Sequence, residues 1–150
     1  MIVDTDPTAG NQIWTIGHAD RDFDTLATML VEHGVQTIVD VRSQPYSKWA
    51  PDFMKATLAE SAATAGFGYR WMGRTLGGKP APEADRLASG IDELIGLSAS
   101  SHVVLLCAEG DPLHCHRDQL LAPALTQRGY EVIHILPNGA TAPYQDRLQI

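Results

Sequence analysis

Apolar positions along this chain change period several times, and each change marks an element. Ile13 to Ile16 is a short apolar run that predicts a strand. Phe23, Leu26, Ala27, Leu30 and Val31 then fall at helical spacing, with Asp22 placed to cap the amino end and Gly34 just beyond the other. Thr37 to Val41 is a β-branched strand. Residues 53–65 carry a weaker helical pattern closed by Gly66, and Phe67 to Trp71 predicts a short strand. Ala84, Leu87, Ala88, Ile91, Leu94 and Ile95 mark a third helix. Val103 to Cys107 is the most apolar run, suited to a sheet centre covered on both faces. Residues 112–128 predict a helix opened by Asp111 and Pro112, and Pro123 inside it should kink or split it. Glu131 to Leu136 is the last predicted strand.

Strand and helix repeated in this order imply right-handed crossovers. The expected fold is a single three-layer α/β domain over residues 12–136, with a mostly parallel five-stranded sheet and helices on both faces. Residues 1–11 read as a mobile N-terminal tail and residues 137–150 as an irregular C-terminal segment. Ligands of such sheets bind outside the carboxyl ends of the strands.

Composition narrows the partners. A length of 150 residues suits one core. A net charge of −7 disfavours gripping a long nucleic-acid duplex, because that affinity comes from neutralising phosphates. A local pocket for a small anionic molecule or nucleotide stays open. No apolar run is long enough to span a bilayer and no charged-then-apolar leader opens the chain, so a cytoplasmic protein without a membrane partner is expected. The two cysteines, Cys107 and Cys115, are too few for a disulfide scaffold, and their closeness in sequence raises a redox pair or a shared metal site.

Polar residues collect after the strands. His18 follows the first and either caps the loop or serves the site. Asp40 and Arg42 share a face of the second strand, as a structural clamp or as ligand contacts. Arg42 suits an anion because its planar fork matches a carboxylate or phosphate. Tyr46 lies just beyond. Gly77 and Gly78 follow the third strand and allow either an unusual turn or backbone approach to a ligand. The fourth strand ends at Cys107, followed by Glu109, a base or a brace for loop amides, and then by His116 and Arg117. Cys107 is either a small apolar core group or a reactive thiol beside a helix start, opposed by the acids Glu109 and Asp111. Adjacent Cys115 and His116 diverge by about 100° on a helix. Their spacing matches no standard zinc site, so neither a metal nor a cofactor is expected. His33, His102 and His134 read as structural or solvent-facing, and Trp14, Trp49 and Trp71 as core or rim.

Thr15-Ile16-Gly17-His18, Val39-Asp40-Val41-Arg42 with Pro45, Leu76-Gly77-Gly78, and Leu106-Cys107-Ala108-Glu109 with Pro112 and Cys115-His116-Arg117 occur in this order. In these stretches the sequence resembles the domain-of-unknown-function 488 family, over about residues 13–136. The resemblance implies a compact parallel α/β domain and no assigned activity. A short stretch after Gly78 and Pro123 within the last helix depart from it. The leading functional expectation is an enzyme for a small anionic substrate. Arg42 and Arg117 would hold the anion, His18 or His116 would move protons, and Glu109 would act as base or orienter. The alternatives are rhodanese-like sulfur transfer through Cys107, and a non-catalytic module for a nucleotide or nucleic-acid end.

Overall fold

The computed structural model describes residues 11–145. The expected N-terminal tail lies outside them except for Asn11, as do the last five positions of the C-terminal segment. Five parallel strands run β1 (Gln12–Gly17), β2 (Thr37–Asp40), β3 (Gly68–Trp71), β4 (Val103–Cys107) and β5 (Glu131–Ile135). A sixth strand, β6 (Thr141–Pro143), adds antiparallel to β5, and the sheet order is β3-β2-β4-β1-β5-β6. The sheet is therefore six-stranded, one more than expected. The extra strand follows a tight turn in which Gly139 N–H bonds Leu136 O at 2.8 Å and Gly139 takes φ +87°. Pro137-Asn138-Gly139 is a good sequence for that turn. Pro143 has no N–H to offer a further strand, which suits an edge.

Helices α1 (Phe23–Glu32) and α2 (Lys55–Thr64) cover one face, where Leu26, Leu30, Leu58 and Ala62 pack on Ile16, Ile38, Val104 and Leu106. The other face is covered by α4 (Ala84–Ser98) and α5 (Ala122–Gln127), with Ile91, Leu94 and Leu125 on Val39, Val103, Leu105 and Val132. The short α3 (Gly73–Leu76) lies on this second side through Leu76. β4 is apolar throughout because both its faces are buried. As expected, Asp22 caps α1, its carboxylate accepting from Thr25 N–H at 2.8 Å, and Gly34 beyond the helix has φ +71°. Trp49 stands in solvent at 86% exposure, neither core nor rim. His134 is buried, bonded to Asp118 at 3.0 Å and Thr15 at 2.6 Å. Among the described residues no helix is long and apolar enough to cross a membrane.

The helix expected over 112–128 is broken. Asp111 caps only a single 3₁₀ turn, Pro112–His114, its carboxylate accepting from Leu113 N–H at 3.0 Å. Cys115 is then extended, with φ −133° and ψ 148°. The chain re-enters helix through a π turn, Arg117–Leu121, before α5. Pro123 supplies a reason: it has no N–H for the carbonyl four residues back, and its ring crowds that carbonyl, so the preceding turn widens. The 100° divergence expected for Cys115 and His116 does not apply, since Cys115 is not helical.

Candidate functional site: a thiol pair at the carboxyl edge

β1 and β2 lead to helices on one face, whereas β3 and β4 lead to helices on the other. Neighbours β2 and β4 thus send their following loops in opposite directions. A crevice opens between their carboxyl ends, as at the switch points of other parallel sheets. It is a half-open cleft of about 770 Å³ bordered by Arg42, Ser43, Lys79, Glu109, Cys115 and His116, with Cys107 at its wall. Gly17 lets the loops close beside it. A Cβ there would lie 1.8 Å from Glu109 O, so only glycine permits the approach that seats His18 N–H on Cys107 O at 2.8 Å.

One flank is a buried ion pair on the α1/α2 side. Arg42 Nε and Nη2 donate to the Asp40 carboxylate at 2.8 and 2.7 Å, and Tyr69 OH donates to it at 2.6 Å. Burial and the neighbouring carboxylate push the Tyr69 hydroxyl pKa upward, so it remains a donor. His18 stacks on Phe53 at 4.4 Å between ring centres. Its Nδ1 lies 2.9 Å from Ala19 O, which can only accept, so Nδ1 carries a hydrogen. Nε2 then accepts from Arg42 Nη1 at 3.4 Å. Burial above all lowers the His18 pKa and favours this neutral form. Asp40 and His18 together fix the guanidinium whose edge reaches the cleft.

The other flank is sulfur. Cys107 and Cys115 are free thiols with Sγ atoms 2.7 Å apart. Arg117 is wholly buried; Nη1 reaches Cys107 Sγ and Glu109 O, each at 2.5 Å, and Nη2 reaches Gly110 O at 2.9 Å. Burial raises the Cys107 thiol well above its usual value, and donation to Cys115 adds to that. Cys115 moves the other way, to about 4, chiefly because its sulfur accepts the Cys107 hydrogen bond, with His116 and the Arg117 backbone amide contributing. His116 Nε2 lies 2.9 Å from Val41 O and must carry a hydrogen, which leaves Nδ1 facing Cys115 Sγ at 3.6 Å. Gly78 sets that ring's position, since a Cβ there would come within 2.7 Å of His116 Cγ. The arrangement is a thiol, a base able to take its proton, and a carbonyl that orients the base.

The expected residues divide accordingly. Arg42, Gly78, Cys107, Glu109 and His116 border the cleft, whereas His18 and Asp40 stand behind Arg42. Glu109 braces its loop, accepting from Asp111 N–H at 3.1 Å. Gly77 is packed between Ser43 and Gly73 rather than opening onto the cleft. Tyr46 is exposed and does not border it. Arg117, expected to hold an anion, instead gives its terminal nitrogens to Cys107 and to two loop carbonyls, inside the core. The sequence raised Cys115 with Cys107 as a redox pair or a shared metal site but did not place it among the site residues, and it passed over Ser43 and Lys79 as wall residues. Among the described residues no three His, Cys, Asp or Glu side chains converge to hold a metal ion.

Comparison with curated proteins and with solved structures finds no significant match. A family model does match, over residues 22–123, a span that includes Asp40, Arg42, both glycines of the third loop, both thiols and His116. The chain belongs to that family, described as domain of unknown function DUF488.

Proposed function

We propose that this chain is an enzyme that binds a small anionic substrate in the cleft between the carboxyl ends of β2 and β4 and attacks it through Cys115. The observation that carries this reading is the His116 ring, tied to Val41 O at 2.9 Å on one side and facing Cys115 Sγ at 3.6 Å on the other. A thiol needs such a partner, or a depressed pKa, to act as a nucleophile near neutrality. Lys79 supplies positive charge on the cleft wall, the edge of Arg42 adds guanidinium donors although Asp40 balances its charge, and Glu109 partly offsets Lys79. Rhodanese-like transfer through Cys107 has less support. Its thiol is held protonated by burial, and the loop after it turns the carbonyls of Glu109 and Gly110 inward to Arg117, where an anion cradle would present amides.

The test is alkylation of the reduced protein by iodoacetamide and by iodoacetate, with the labelled cysteine identified by peptide mapping. Cys115 should label first, and its rate should stay nearly level from pH 7 to pH 5, where a free thiol slows about tenfold per unit. Iodoacetate should gain on iodoacetamide relative to a free thiol, and Lys79→Met should remove part of that gain. Labelling of Cys115 only above pH 8, with no preference for the anionic reagent, would sink the proposal.

A further inference from the structure

Two thiols border one cleft, and their surroundings differ in a way that suits sequential roles. Cys115 lies on an extended link between two helical turns, so its sulfur faces both the cleft and Cys107. Cys107 closes a central strand, is 2% exposed and touches the Arg117 guanidinium. A structural pair of core thiols would need neither the guanidinium nor the imidazole. We propose that Cys115 and Cys107 are the attacking and resolving members of a thiol–disulfide exchange pair, and that the substrate is a disulfide of a small thiol bearing carboxylates. This rests on Cys115 being the nucleophile of the cleft and adds the substrate class.

The Cys115 thiolate attacks one sulfur of the substrate; a bond from Cys115 Sγ to that sulfur forms, the substrate's sulfur–sulfur bond breaks, and the first small thiolate leaves. Cys107 Sγ, already 2.7 Å from Cys115 Sγ, then attacks it. The Cys107 proton passes to the second small thiolate as it departs, and the Cys107–Cys115 bond replaces the mixed disulfide. Both cysteines are oxidised and one substrate disulfide is reduced to two thiols. A dithiol reductant resets the pair by the reverse exchange. Arg117 has a role in the second step, because Cys107 must gain thiolate character there and Nη1 already points at its sulfur. The carboxylates of the substrate meet Arg42 and Lys79 on the cleft wall.

The experiment incubates the fully reduced chain with glutathione disulfide, followed by intact mass and non-reducing peptide mapping. Wild type should retain no adduct, should carry a Cys107–Cys115 link, and should release about two glutathione thiols per chain. Cys107→Ser and Cys107→Ala, two variants in case one packs poorly, should each hold one glutathione on Cys115. Cys115→Ser should react at least about tenfold more slowly. A wild-type chain that keeps glutathione on Cys115 while Cys107 stays free would overturn the resolving role and leave Cys115 standing as nucleophile. Labelling of Cys115 by iodoacetate without any reaction with glutathione disulfide would refute the substrate class alone. Failure of both reagents at Cys115 would overturn this inference and the proposed function together.

Discussion

Replacing Asp40 with asparagine should destabilise the fold far more than a neutral, near-isosteric exchange suggests. The carboxylate is 0% exposed and accepts from Arg42 Nε at 2.8 Å, Arg42 Nη2 at 2.7 Å, Arg42 N–H at 3.2 Å and Tyr69 OH at 2.6 Å. Asparagine removes the charge and turns an NH2 group toward Arg42, whose nitrogens can only donate. The Arg42 guanidinium, 7% exposed, is left without its counter-ion. Breaking a buried pair by removing one partner costs about 3–5 kcal/mol. Arg42 borders the cleft, so water reaches part of it, and the lower end, about 3 kcal/mol, is expected. For a domain of this length that corresponds to a Tm loss of roughly 6–12 °C. Urea unfolding followed by circular dichroism measures it. A double-mutant cycle with Arg42→Met supplies the control, because a chain lacking both charges buries none and should recover much of the loss. A loss below about 1 kcal/mol for Asp40→Asn, or a double variant no better than the worse single, would refute the reasoning. Arg42 would then owe its position to something other than the carboxylate.

Further outcomes follow from contacts elsewhere at the carboxyl edge. Gly78→Ala should displace the half-buried His116 ring and raise the alkylation midpoint of Cys115 with little change in urea midpoint; an unaltered pH profile would remove His116 from the thiol's environment. Gly17→Ala places a Cβ on backbone atoms of Glu109 and Gly110 that cannot yield, so the loss should reach about 3 kcal/mol or more, read by thermal melting; a melt near wild type would show that the loops can part. His18 and His134 both have pKa values lowered mainly by burial, so the unfolded state binds more protons below about pH 6.5. Their contribution is present above that pH and is lost as the pH falls through the folded values, and the depressed Cys115 thiol acts in the same direction between about 9 and 4. Stability from urea titrations should therefore drop between pH 7 and pH 5, and a level profile would contradict neutral burial of the two imidazoles.

Local signals sufficed for most elements. The periodicity of Phe23, Leu26 and Leu30, with Asp22 before and Gly34 after, reports a helix because every contact involved is near in sequence. The unbroken apolar run from Val103 to Cys107 marks a central strand because only a strand covered on both faces can bury every residue. The sixth strand was encoded in Pro137-Asn138-Gly139, a turn signal with only three residues of strand beyond it, too short for an alternating pattern to register. The location of a site at the carboxyl edge also followed from the order of elements, since parallel crossovers put every loop that follows a strand there. What each side chain does at that edge depended on distances between remote residues. Arg42 and Arg117 look alike in sequence, yet one borders the cleft and the other ties Cys107 to two loop carbonyls. Cys115 became the cleft-facing partner of the thiol pair, buried yet less so than Cys107, only because the chain leaves helical geometry between Pro112–His114 and Arg117–Leu121, and its base is oriented by Val41, seventy-five residues away. Propensity is read from neighbours in the chain, whereas ionisation and reactivity are set by whatever the fold brings within a few ångströms.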